Sequence, residues 1–173
     1  MKYYSQLLNS TVYPNNQKIF FYGGIFSQWA ECKFFCTALK LYVNCAEQAM
    51  MLHKAKFFND DEKFNAILAS DNPRVQKSIG RSVNNFNKDE WEMVAFDFVK
   101  NINKDKFGQN QAWKELLFLT HPYQLVEASP TDRIWGIGMG EDNPDLLQFD
   151  KWGQNLLGKA ITQARHELLT ELK

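Results

Sequence analysis

Glu127-Ala128-Ser129-Pro130-Thr131-Asp132-Arg133-Ile134-Trp135-Gly136-Ile137-Gly138-Met139-Gly140 is the stretch on which the reading of this chain turns. Two acids bracket a Ser-Pro turn, an arginine follows, and a tryptophan leads into three alternating glycines. Pro130 and the Ser, Thr and Asp around it force a loop, and loops on a rigid scaffold are where reactive side chains are displayed. Gly136, Gly138 and Gly140 hold no side chain between backbone and ligand, so their amides can approach an anion closely. The segment reads as a ligand-binding wall.

Working outward, Tyr123 to Val126 reads as a strand feeding this loop. A last helix, from about Leu156 to Leu172, carries Leu157, Ile161, Ala164 and Leu168 on one face. Upstream, Ile19 to Tyr22 before Gly23-Gly24 suggests a short strand and turn. A second extended region covers Phe34 to Val43. Asn44-Cys45-Ala46-Glu47 has the form of a capping box, with Asn44 as cap and Glu47 at the third helical position. The helix it starts has Cys45, Ala49, Leu52 and Ala55 on an apolar stripe. Further helices are expected from Asp61 to Ala69, from Pro73 to about Gly80, and from Asn87 to Gly108. One more runs from Asn110 to Leu119, where His121-Pro122 breaks it. Residues 1–17 read as a loose N-terminal arm, and residues 18–173 as one domain. Several helices with a few short strands make an α+β fold that is predominantly helical.

At 173 residues the chain can bury a sizeable single core. Its 45% hydrophobic and 23% charged residues fit a soluble globular protein. Lysine plus arginine and aspartate plus glutamate balance at 20 each, which argues against extensive sequence-independent gripping of duplex DNA. A small anionic ligand, or a short nucleic-acid segment in a local pocket, is compatible with that balance. Cys32, Cys36 and Cys45 contain no CxxC pair, and His53, His121 and His166 fall in no zinc-ligand spacing. Free thiols in a reducing cytosol are therefore expected, with no metal. Met1 to Asn16 lacks the apolar core of a signal peptide, and no run approaches the roughly 20 apolar residues of a membrane span. The expectation is a cytoplasmic protein without a membrane partner.

Individual residues admit two readings each. Glu47 and Lys54 lie seven apart, two turns along one helical face; a capping glutamate and a solvated lysine explain them as well as chemistry does. Asp132 is either a turn-forming aspartate or a functional carboxylate. Arg81, at a helix end, either complements the helix dipole or clamps a phosphate. Trp91 falls on an apolar stripe and reads first as core, whereas Trp135 is the better stacking candidate. Asn155 either caps the last helix or hydrogen-bonds a ribose or base.

The combination is more specific than its parts. Phe26-Ser27-Gln28-Trp29 is followed by Glu47-Gln48, Met50-Met51 and Lys54-Ala55, then Ile79-Gly80-Arg81 with Trp91. Lys106-Phe107-x-Gln109-Asn110, the phrase from Leu125 to Gly138, and Trp152-Gly153-x-Asn155-x-x-Gly158 with Arg165 complete the series. That series resembles the NADAR family, also called YbiA-like, over about residues 20 to 170. Ala49, where relatives commonly carry an aromatic, and Ala30-Glu31-Cys32, where a proline turn is usual, depart from it.

The resemblance implies a helix-rich YbiA-like fold and an N-glycosidase that cleaves a C–N bond at a ribose anomeric carbon. Its implied substrate is ADP-ribosylated guanine, as a nucleotide or in single-stranded or flipped-out nucleic acid. Phosphorylated intermediates of riboflavin synthesis, or ADP-ribose bound without turnover, are the alternatives. It carries the family's acid–lysine pair onto Glu47 and Lys54 and its loop aspartate onto Asp132. Arg81, Trp91, Trp135, Gly136, Gly138 and Asn155 become the substrate-binding set, and no cofactor is implied. These residue types suit the reaction. A carboxylate stabilises an oxocarbenium-like transition state, a proton donor assists the leaving nitrogen, and a desolvated lysine can attack the anomeric carbon.

Overall fold

The computed structural model describes residues 10–171. Their contacts form two compact units: residues up to Ser27 together with those from Gln111 onward, and the segment Gln28–Asn110. The second unit is thus inserted in the chain between two strands of the first.

In the first unit, β1 (Ser10–Tyr13) and β2 (Lys18–Phe21) form an antiparallel hairpin around a 3-10 turn at Pro14–Asn16. Residues 10–17 therefore differ from the loose arm expected of them, while residues 1–9 lie outside the described residues. The β-branched and aromatic run Thr11-Val12-Tyr13 suits a paired strand, and Gln17, at φ 51°, closes the turn. β5 (Gln124–Glu127) pairs parallel to β2 on its other side. Phe20, Val126, Ala128, Ile137, Met139 and Leu146 make the buried cluster behind this sheet. Tyr13 and Trp152 set their rings edge-on against Phe20 at 5.1 and 5.5 Å.

Two helices complete this unit, Gln111–Leu119 and Leu156–Thr170; numbered in chain order they are α5 and α6. The latter packs on β5 with Leu157, Ile161, Ala164 and Leu168 buried, as its period predicts. Its Arg165 is fully buried as well. It donates from Nη1 to Thr120 Oγ1 at 2.6 Å and to the Tyr123 carbonyl at 2.9 Å. Burial lowers its pKa to about 10.

The second unit opens with the hairpin β3 (Phe34–Cys36) and β4 (Leu41–Val43), so the single extended region expected there is two short strands. Four helices follow: α1 (Ala46–Phe57), α2 (Asp61–Leu68), α3 (Pro73–Arg81) and α4 (Lys88–Gly108). Asn72 and Asn87 cap α3 and α4 through their side-chain oxygens, and Pro73 occupies the first position of α3. The whole run Ala46–Ala55 of α1 is buried, because α2, α3 and α4 all pack on it. A helix surrounded in this way is expected to be apolar all round. This one instead carries Glu47, Gln48, His53 and Lys54 into the interior. The architecture is α+β with helices predominating.

Candidate active site

The start of α1 corrects the expected capping box by one residue. Cys45, not Asn44, is the cap, its sulfur accepting the Gln48 backbone N–H at 3.4 Å. Gln48, not Glu47, reaches back, its Oε1 accepting the Asn44 N–H at 2.8 Å. The Gln48 amide also donates to the carbonyls of Ile67 and Ser70, each at 3.2 Å. Asn44 turns its side chain to Asp71 and Gln76 instead. These partners lie up to 32 residues away, beyond what a local box can encode. The helix-capping task that would have explained Glu47 therefore belongs to its neighbour.

The four buried polar side chains of α1 now separate into two kinds. Gln48 is held by backbone groups. His53 stacks on Phe98 with centroids 4.5 Å apart and faces the Cys36 sulfur at 3.6 Å. Burial, then the Lys56 cation, lowers its pKa to about 4, so it is a neutral core group. Glu47 and Lys54 are different. Glu47 is 3% exposed and accepts the Trp29 indole N–H at 3.2 Å; Lys54 is 8% exposed and lies 3.8 Å over the Phe86 ring. Trp29 and Phe86 are themselves open to solvent, at 41% and 44%. The acid and the amine thus sit beneath accessible aromatic rings rather than deep inside apolar packing.

Burial, with the Arg81 cation second, holds the Lys54 pKa below the usual lysine range. A close approach of α3 to α1 brings Arg81 there. A Cβ on Gly80 would come within 2.1 Å of Met51 Sδ, so glycine is what lets α3 lie this near. Trp91 is 8% exposed and joins Phe57, Phe58 and Phe98 in an aromatic cluster, consistent with its core reading. Three residues to which the sequence assigned no role stand out. Trp29 bonds Glu47, and Lys77 lies 5.8 Å over the Trp29 ring. Lys106 is fully buried, and desolvation lowers its pKa to about 7, against the Cys32 and Cys45 thiols, which act to raise it. Trp29 and Lys106 stood inside recognisable phrases, but nothing local tied either to α1.

The residues of the glycine-rich phrase belong to the other unit. Asp132 Oδ1 accepts the backbone N–H of Ile134 at 2.8 Å and of Trp135 at 2.9 Å, closing an Asx-type turn. Ser129 Oγ accepts the Asp132 N–H at 3.2 Å. Trp135 is half-buried, and its carbonyl accepts the Leu157 N–H. The glycines answer to this loop's own packing. A Cβ on Gly136 would come within 2.8 Å of Ser129 Cβ and 3.0 Å of two backbone oxygens. Gly138 has φ +71°, and a Cβ there would meet Arg133 Cγ at 2.5 Å. Asn155 is 2% exposed at φ 52°, and its side chain serves β5: Oδ1 accepts the Glu127 N–H at 2.9 Å, and Nδ2 donates to the Leu125 carbonyl at 3.0 Å. Its side chain makes no cap for α6. The cap expected of Asn155 is thus made by backbone position alone, because the strand takes the amide.

Glu47, Lys54, Arg81 and Trp91 therefore fall in the segment Gln28–Asn110, and Asp132, Trp135, Gly136, Gly138 and Asn155 in the other unit. No helix among the described residues is long and apolar enough to cross a membrane.

Comparison with known proteins bears on this arrangement. The chain is 38% identical over 166 residues to N-glycosidase R617 of Acanthamoeba polyphaga mimivirus, covering 86% of this chain and 95% of that one. It is 28% identical over 118 residues to N-glycosidase YbiA of Escherichia coli, covering 68% of each. The NMR structure of E. coli YbiA superposes with a TM-score of 0.73 at 25% identity, over 91% of this chain and 88% of that one. Residues 20–169 match the NADAR domain. With nearly the whole described chain matched in sequence and in fold, this protein belongs to the NADAR family.

Proposed function

We propose that this chain is an N-glycosidase that releases ADP-ribose from ADP-ribosylated guanine, presented as a nucleotide or as an unpaired base in nucleic acid. The enzyme class rests on the family and on relatives named as N-glycosidases. The observation that carries the chemistry is the pair on α1. A carboxylate and an amine, both nearly excluded from water, lie two turns apart beneath accessible aromatic rings, with the structural duty expected of Glu47 met by Gln48. Burying two ionisable groups is costly, and a buried lysine whose pKa is held down, as that of Lys54 is, belongs to the kind of group that concentrates where chemistry is done.

In the proposed reaction the neutral Lys54 amine attacks the ribose C1′. The electrons of the C1′–N bond leave with the guanine nitrogen. Glu47 takes the proton shed by the attacking amine and returns one to the departing base. Opening of the ribose ring gives a Schiff base, which water hydrolyses to free sugar and amine. Arg81 is assigned to a substrate phosphate as well as to keeping the Lys54 amine deprotonated. Trp135 is assigned to stacking and Asp132 to electrostatic support of the transition state, both from the family resemblance. Three buried free cysteines fit work in a reducing compartment such as the cytoplasm.

The test offers the wild-type protein ADP-ribosylated guanine nucleotide, ADP-ribosylated single-stranded DNA and phosphorylated riboflavin-pathway intermediates, with product release followed by mass spectrometry. Release of ADP-ribose with borohydride-trapped adduct at Lys54 is the expected result. Turnover of the riboflavin intermediates alone would move the substrate assignment. Binding of ADP-ribose without turnover of any substrate would overturn the enzyme reading.

A further inference from the structure

Gln28 and Trp29 hold Glu47 at two points. The Gln28 carbonyl accepts the Glu47 backbone N–H at 2.9 Å, and the Trp29 indole N–H reaches the Glu47 side chain at Oε2. Gln28 is itself anchored, its Oε1 accepting from Asn103 Nδ2 at 3.2 Å, and the same Nδ2 donates to the Val99 carbonyl of α4 at 2.8 Å. On the other side, the Lys77 ammonium lies over the indole ring from α3. A tryptophan that is 41% exposed ordinarily satisfies its N–H with water; here that donor points inward to a carboxylate that is 3% exposed. A donor held in this place restrains the rotamer of the acid and favours its ionised form as acceptor.

We propose that Gln28-Trp29 is a brace that aims the Glu47 carboxylate, with Trp29 acting as a positioning residue for glycosidic cleavage and Lys77 steadying its ring. The brace rests on the reading of Glu47 as the proton-transferring group. It adds a residue that touches no reacting atom and acts only through the acid.

Trp29→Phe removes the N–H and keeps most of the ring. The loss of one hydrogen bond to a charged group is expected to lower kcat by about tenfold to a hundredfold, with KM changed less than twofold. The acid limb of the rate profile should move to higher pH, since the ionised carboxylate loses a donor. A second measurement needs no turnover: the carboxyl carbon of Glu47, observed by NMR with 13C-glutamate labelling and assigned with Glu47→Gln, should titrate at higher pH in Trp29→Phe. A third needs no Trp29 variant. In wild-type protein the Trp29 indole N–H should exchange slowly with water and shift as Glu47 titrates, and Glu47→Gln should abolish that shift.

An unchanged profile and unchanged Glu47 titration in Trp29→Phe would overturn the brace. So would a wild-type indole N–H that exchanges like a free indole and ignores pH. A Glu47 titration that follows Trp29 in a protein inert toward every N-ribosyl substrate would leave the brace standing and remove the proposed function instead.

Discussion

The α1 helix and the glycine-rich loop make opposite uses of their polar residues. In the loop, Asp132, Gly136 and Gly138 are each engaged by local architecture, an Asx turn and two close approaches, and Asn155 at the start of α6 clamps β5 with its side chain. In α1, Glu47 and Lys54 sit in a buried helix whose capping is done by Cys45 and Gln48. The phrase that is most recognisable in the sequence is thus heavily constrained by folding. The helix that reads as ordinary periodicity carries the costly buried groups, with the Lys54 pKa lowered by burial. A distinctive motif can mark where the backbone is hardest to build, while buried ionisable groups mark where folding alone gives no reason for them.

The comparison breaks most sharply at Glu47. Glu47→Gln keeps an acceptor for Trp29 but cannot shuttle a proton, so turnover should fall by about 10²–10⁴-fold; the thermal midpoint should barely move, since the cap lies elsewhere. Loss of folding without specific loss of turnover would return Glu47 to the architecture. Asp132→Asn is the matching test in the loop. Its amide oxygen can still accept from Ile134 and Trp135, so the turn should persist, while loss of the charge is expected to cost about a hundredfold in kcat. Full activity in that variant would make the loop aspartate purely architectural.

Asn155→Ala should act on stability instead. It removes the side-chain partner of the half-buried Glu127 N–H and of the buried Leu125 carbonyl, at about 1–3 kcal/mol for the latter and less for the former, measured by chemical denaturation. Unaltered kcat in the folded fraction would remove Asn155 from the substrate-binding set. The smallest effect is expected at Arg81. Its cation helps hold the Lys54 pKa down, so the reactive neutral amine is present at lower pH than for an ordinary lysine. In Arg81→Gln the folded-state value rises and the ascending limb of kcat moves to higher pH. A higher KM beside that shift would report the phosphate contact separately. A limb that stays put would mean the rate does not follow Lys54.

Much of the fold was legible because its signals are local. Asn72-Pro73 and Asn87 announce α3 and α4, and the apolar period of residues 157–168 finds the buried face of α6. The box before α1 was legible in kind and wrong in register, because Gln48 is chosen over Glu47 by carbonyls at Ile67 and Ser70 that no short window contains. Of the hairpin at residues 10–21, the second strand was legible at Ile19 to Tyr22, but the first escaped reading because Pro14-Asn15-Asn16 resembles an unstructured polar stretch until a partner strand is present.

From residue order alone came the family and the helix-dominated α+β class, since motif and apolar period survive without coordinates; the resemblance, not spacing, singled out Glu47, Lys54 and Asp132 as candidates. Tertiary structure alone decided which glutamate-like neighbour caps α1, that the glycines are needed by their own loop, and that Trp29 reaches Glu47. Those outcomes depend on burial and on hydrogen bonds between residues distant in the chain, and free energies of that kind are set by neighbours in space.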